Sequence, residues 1–188
     1  MADGSAHTLC PDDRLTGLIA LAGDDVRGTR ELDTLLGQYP KDPRLLFLKG
    51  SLLAGRQDYA GARAAMRHAV DLAPDYAIAR FQLGLLLLTC GEPHAAQEAW
   101  GPLHALPADN CLRLFVLGLN HLIRDEFDDT IRLLKEGMAQ NRDNLPLNRD
   151  MQLIVDEVRG KLSEQGREAP ASSVDFLLQQ AALKATRH

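Results

Sequence analysis

Glycine returns every 34 residues through the middle of this chain, at Gly50 in FLKGSLLAG, Gly84 in FQLGLLLL and Gly118 in FVLGLNHLI. A fixed period of 34 is the length of a helix–turn–helix repeat, and it restricts the fold more than any other feature of the sequence. A unit that short cannot bury its apolar face alone, so units must stack on one another. The central stretch from Phe81 to Trp100, FQLGLLLLTCGEPHAAQEAW, fits the period. It reads as two short amphipathic helices divided by Gly91-Glu92-Pro93.

Three units fall in register on this frame: Pro43–Tyr76, Ala77–Asn110 and Cys111–Asn144. The eighth position holds Gly50, Gly84 and Gly118, where two helices of a pair approach closely and a side chain would hold them apart. The twentieth holds Ala62, Ala96 and Thr130, all small. The tenth holds Leu52 and Leu86 but then Asn120. The twenty-fourth holds Met66, Trp100 and Leu134, large residues expected to pack on the next unit. Pro74, and Pro107 one place early, stop the second helices of the first two units. Arg142 replaces proline in the third.

The flanks follow the same logic less closely. Residues 1–10 are small, polar and aperiodic, and read as a flexible arm. Residues 11–42 read as a degenerate first pair, with Thr16 in place of the glycine. Pro11-Asp12-Asp13 starts its first helix, with Leu15, Ile19 and Ala22 at helical spacing and Leu18 beside them. Gly23-Asp24-Asp25 breaks that helix. Val26 to Leu36 starts another, with Leu32, Leu35 and Leu36 on one face, and Gln38-Tyr39-Pro40 ends it. After Asn144 the repeat fails. A capping helix is expected over 145–166, with Leu147, Met151, Ile154, Val155, Val158 and Leu162 on its covered face. Gln165 to Pro170 reads as a linker. The last stretch, within 167–188, reads as an amphipathic helix headed by Ser172, with Asp175 three residues on as in a capping box. Its apolar face holds Val174, Leu177, Leu178, Ala181 and Ala185.

This arrangement resembles the tetratricopeptide repeat. The middle unit carries the likeness on Leu83-Gly84, Gly91, Ala96, Trp100 and Pro107. The first unit carries it on Gly50, Tyr59, Ala62, Ala69 and Pro74, and the third on Leu117-Gly118, Phe127 and Gly137, with Thr130 a looser match. Arg80, Lys49, Pro93 and Leu103 depart from the pattern. Pro93 and Leu103, with Pro102 nearby, bear on how long the middle unit's second helix runs. The resemblance covers Pro43–Asn144 in register and Pro11–Asp42 weakly. It implies an all-α fold: a right-handed superhelical array of antiparallel helix pairs, an α-solenoid with a C-terminal capping helix.

The resemblance also implies a concave groove lined by the first helix of each pair. The fifth position gives a ladder of Phe47, Phe81 and Phe115. Around it fall Ile78, Leu85, Leu88, Leu112, Leu119 and Leu122, with Arg44, Ser51 and Thr89 as polar neighbours. Two readings stand side by side. In one, the groove takes an extended or helical peptide on aromatic anchors. In the other, the Phe ladder is ordinary core between units. Clamping a chain-terminal carboxylate is not expected, because the ladder puts Phe where such a clamp needs charged or hydrogen-bonding side chains.

Composition and motifs narrow the function further. The formal charge is −5 with pI near 5.6, and the cations form no basic stripe, which speaks against nucleic acid. The N-terminal stretch lacks the basic and apolar regions of a signal peptide, and LGLLLL is far too short for membrane insertion. Cys10, Cys90 and Cys111 lack framework spacing and read as free thiols in a reducing cytoplasm. His68, His94, His104 and His121 form no closely spaced ligand set, and His121 takes a position expected to pack. The acidic pairs Asp12-Asp13 and Asp128-Asp129 suit helix starts. No phosphate loop or nucleophile motif is present. The sequence therefore predicts no catalytic residues, no metal and no cofactor. It points to an adaptor or scaffold whose partner is another protein or peptide segment. Two alternatives stay open: a small cytosolic chaperone resembling the three-repeat chaperones of secretion systems, and a homo-oligomer assembled through residues 172–185.

Overall fold

The computed structural model describes residues 9–21 and 25–168. Among these lie nine α-helices, one 3-10 turn and no strand. In order they are α1 (Asp12–Ala20), α2 (Asp25–Gln38), α3 (Pro43–Gly55), α4 (Tyr59–Leu72), α5 (Ala77–Thr89), α6 (Pro93–Trp100), the 3-10 turn Gly101–Ala105, α7 (Cys111–Ile123), α8 (Phe127–Gln140) and α9 (Leu145–Glu168). The chain divides into two compact units, Met1–Val116 and Leu117–His188.

The hairpin turns repeat as strictly as the glycines. Gln57, Gly91 and Asp125 stand 34 residues apart, and each takes a left-handed backbone, with φ of 65°, 77° and 57°. The same two hydrogen bonds close each first helix. Gln57 N–H reaches Ala54 O and Asp58 N–H reaches Leu53 O; Gly91 reaches Leu88 and Glu92 reaches Leu87; Asp125 reaches Leu122 and Glu126 reaches His121. This is the Schellman closure, which satisfies carbonyls that a helix end would otherwise leave bare. The next helix starts at once, and Asp58 caps α4 by accepting from Gly61 N–H at 2.9 Å.

The glycines at the eighth position are receivers for the twenty-fourth. A Cβ on Gly50 would meet Met66, one on Gly84 would fall on the Trp100 indole, and one on Gly118 would meet Leu134. The large residues expected to reach the following unit thus close on the glycine of their own pair. All three are buried: Met66 is 3% exposed, Trp100 and Leu134 0%. The backbone-to-side-chain fit within each pair needs the glycine, because two helices this close leave no room for a methyl group.

In the first unit, Cys10, Leu18, Leu32, Leu35 and Leu45 form one buried cluster. Cys10 lies inside the stretch expected to be a loose arm, yet it is 2% exposed, and its N–H is held by Asp42 at 2.8 Å. On α1 the covered residues are Leu15 and Leu18, while Ile19 is 54% exposed, so the face is shifted from the one expected. α6 stops after eight residues at Trp100. Pro102 then has no N–H to continue the ladder, and the 3-10 turn buries Leu103 instead.

In the second unit, α9 packs on α8 through Leu147, Met151, Val155 and Val158, all at 2% exposure or less. Ile154 and Leu162 lie at the edge of that stripe, half-buried. The α8–α9 junction, where proline is missing, is closed by three asparagines. Asn141 is buried and donates to Asn144 O at 2.7 Å and to Asn148 Oδ1 at 2.8 Å, and Asn148 returns a bond to Asn141 O at 3.0 Å. α9 runs to Glu168, through the first residues expected to form a linker. The helix expected after Ser172, and residues 1–8 of the expected arm, lie outside the described residues.

Candidate functional site

The residues singled out by the sequence separate into three groups. The first is buried. Phe81 and Phe115 are 0% exposed, their ring centroids 6.0 Å apart, and Phe81 also stacks on Trp100 at 6.3 Å. Leu119 is likewise 0% exposed. These three side chains fill core and do not line an open surface. For two rungs of the Phe ladder, the core reading is the right one, because rings with no exposed surface have no face left for a ligand.

The second group keeps part of its surface in solvent. Phe47, Ile78, Leu85, Leu88 and Leu112 are half-buried. They sit on α3, on α5 and at the start of α7, all within the first compact unit. Phe47 meets Tyr76 edge-on, with centroids 5.5 Å apart and planes at 67°. Tyr76 was not singled out from the sequence, although it is one of only three tyrosines and stands immediately before α5. Burial pushes its hydroxyl above the ordinary value.

The third group is polar, and its hydrogen bonds are already made. Ser51 donates its hydroxyl to Phe47 O at 3.1 Å, and Thr89 donates to Leu85 O at 2.9 Å, each one helical turn back. Arg44 lies against Asp42, which is fully buried and caps α3 by accepting Arg44 N–H at 2.9 Å. The guanidinium also gives Asp42 two side-chain bonds, at 3.1 and 2.8 Å. It reaches Asp12 at 2.6 Å and the Cys10 carbonyl. Burial alone would raise the Asp42 pKa, but the bonds from Arg44 and from Cys10 N–H outweigh it and hold the carboxyl below its ordinary value. Arg44, expected as a groove residue, is thus the fastening of the N-terminal segment to α3. The Asp42-Pro43 pair was the available signal, since an acidic cap followed by proline marks a helix start.

In the second unit, His121 Nδ1 lies 2.5 Å from Glu126, which also accepts from Arg124 at 3.0 and 2.8 Å. The Arg124 bonds, then the His121 bond, pull the Glu126 carboxyl down to about 2. His121 is therefore engaged at the α7–α8 turn and not in packing alone. Among the described residues no three His, Cys, Asp or Glu side chains converge as metal ligands, and no helix is long and apolar enough to cross a membrane. Two open depressions lie elsewhere. One of about 680 Å³ is bounded by Val26, Thr29, Arg30, Asp33, Thr34 and Arg56, and one of about 470 Å³ by residues 125–129 and Leu162.

No family model and no curated protein matches the chain. Among solved structures it is similar to MamA, residue 41 to the end, from Desulfovibrio magneticus RS-1. The identity is 17% and the TM-score 0.54, over 85% of this chain and 97% of that one. It is similar to the same degree to the MamA RS-1 ArsTM double mutant, with 17% identity and TM-score 0.54 over 86% and 97%. At this identity the likeness shows the fold: an all-α tetratricopeptide-like solenoid of antiparallel helix pairs.

Proposed function

We propose that this chain is a non-enzymatic interaction module, an adaptor or scaffold that holds a segment of a partner protein against the first helices of its pairs. One observation carries the reading. Phe47, Ile78, Leu85, Leu88 and Leu112 keep apolar surface in solvent, at the register positions that the repeat frame assigns to the binding face. Phe81 and Phe115 are buried on α5 and α7. Recognition by such a surface rests on a few apolar anchors, with the rest of the contact supplying fit.

Affinity capture from the native cell tests this. The chain carrying Leu85→Asp and Leu88→Asp is compared with the unaltered chain, after circular dichroism has shown both to be equally helical. The altered chain should lose the captured protein. Retention of the same protein at the same yield would sink the proposal. A second reading, self-assembly, is favoured by the apolar stripe Val174, Leu177, Leu178, Ala181 and Ala185 in the sequence. It requires a concentration-dependent mass in sedimentation that Leu177→Asp with Leu178→Asp abolishes.

A further inference from the structure

We infer that residues 9–12 form a strap that opens as a unit of its own, while the helices beneath it stay folded. The inference is independent of the binding face proposed above and rests on how the strap is tied down. Among the described residues, three polar contacts join it to α3 and its cap, and all three end on Asp42 and Arg44. Cys10 N–H donates to Asp42 at 2.8 Å. The Arg44 guanidinium donates to the Cys10 carbonyl and pairs with Asp12 at 2.6 Å. Of the strap's side chains only Cys10 is buried, in the cluster with Leu18, Leu32, Leu35 and Leu45. Leu9 is 51% exposed and the Asp12 side chain 92%.

Releasing the strap leaves no buried charge stranded. Asp42 keeps the Arg44 backbone N–H at 2.9 Å and the guanidinium at 3.1 and 2.8 Å, so the buried carboxylate stays paired and α3 stays capped. Arg14 holds α1 to α2 from outside the strap, through Gln38 at 2.6 Å and Glu31 at 3.3 Å. Leu15 and Leu18 of α1 therefore keep their places in the cluster. Opening gives up one small buried side chain, two hydrogen bonds to charged groups and an ion pair that water already reaches. That puts the step among the low-cost local openings of a fold, well below global unfolding. The closed strap also quiets the Cys10 thiol. Burial, then the Asp42 carboxylate, push its pKa up, and the thiolate is the form that reacts. Cys10 thus reports the state of the strap.

The test is alkylation of the full chain by iodoacetamide, through a urea series that stops short of the unfolding transition. Cys10 is the only cysteine of the tryptic peptide 1–14, so its labelling is read apart from that of Cys90 and Cys111. Each rate is divided by the rate in full denaturant, and Trp100 fluorescence follows global unfolding under the same conditions. Cys10 should label at least about tenfold faster than global unfolding allows, and with little dependence on urea, since a local opening exposes little surface. Asp12→Asn should speed the labelling about two- to fivefold, the range for an exposed ion pair. Asp13→Asn, in the same helical turn but outside the Arg44 pair, should leave it unchanged. A rate that rises with urea as steeply as global unfolding overturns the inference, because the strap then opens only with the whole fold. Labelling at the denatured rate without urea also overturns it, since no strap is then closed. So does an equal response to Asp12→Asn and Asp13→Asn.

Discussion

The indole N–H of Trp100 donates to the backbone carbonyl of Phe81 at 2.9 Å, and both side chains are fully buried. That bond fixes the ring across Gly84, on the turn of α5 that follows Phe81. A hydrogen bond made inside the core is costly to leave unmade, so the indole has little freedom to move aside. Met66 and Leu134, which meet Gly50 and Gly118, are aliphatic and have no such tether.

Gly84→Ala should therefore be more damaging than Gly118→Ala. Alanine gains about 1 kcal/mol in helix propensity, while overpacking costs about 1–3 kcal/mol and the displaced indole adds a lost bond of about 1 kcal/mol. The net loss should be about 1–3 kcal/mol, and Gly118→Ala should cost less, since Leu134 meets it with the end of its side chain. Urea unfolding followed by the fluorescence of Trp100, the single tryptophan, measures both. Equal midpoints for the two variants would contradict the tether.

Gly91→Ala should cost about 1 kcal/mol through the backbone alone. A Cβ there would meet nothing within 4 Å, but φ is +77°, a region in which a side chain is strained. In the same way, Gln57→Gly should add about 0.5–1 kcal/mol of stability, because Gln57 holds that conformation without being glycine. Asp125→Gly should add less, since aspartate tolerates it better. Denaturant midpoints for the three variants give the ordering, and a neutral Gly91→Ala would argue against the left-handed turn.

Asp42→Ala should destabilise the chain by about 3 kcal/mol at neutral pH, since it leaves the Arg44 guanidinium and Cys10 N–H without their buried acceptor. The pH dependence has a definite sign. The folded-state pKa of Asp42 lies below its ordinary value. Its contribution is therefore full above the ordinary carboxylate pKa of about 4 and is lost as pH falls through the lower, folded value. Stability measured between neutral pH and about pH 3 should fall less steeply for Asp42→Ala than for the unaltered chain. Parallel curves would rule out this role.

Much of the fold was legible because period and packing report the same geometry. Three glycines at a fixed spacing announced close helix pairs, and each receives a large residue of its own pair. The shared left-handed turn was harder to see, because only Gly91 advertises it and Gln57 and Asp125 do not. The candidate site was half legible. The repeat frame drew its candidates from the first helix of each pair, yet it could not separate Phe47 from Phe81 and Phe115, which share its residue type and register.

The order of helices, their pairing and the places where they must touch follow from periodicity along the chain, because each is a local consequence of helical spacing, turn chemistry and side-chain size. Exposure is different, since it depends on neighbours contributed from far along the chain. Trp100 and Phe115 take Phe81 out of solvent. Asp42 and Asp12 turn Arg44 from a groove residue into a fastening. Those outcomes were decided by packing in three dimensions, where one residue type at one register position meets different surroundings in each repeat.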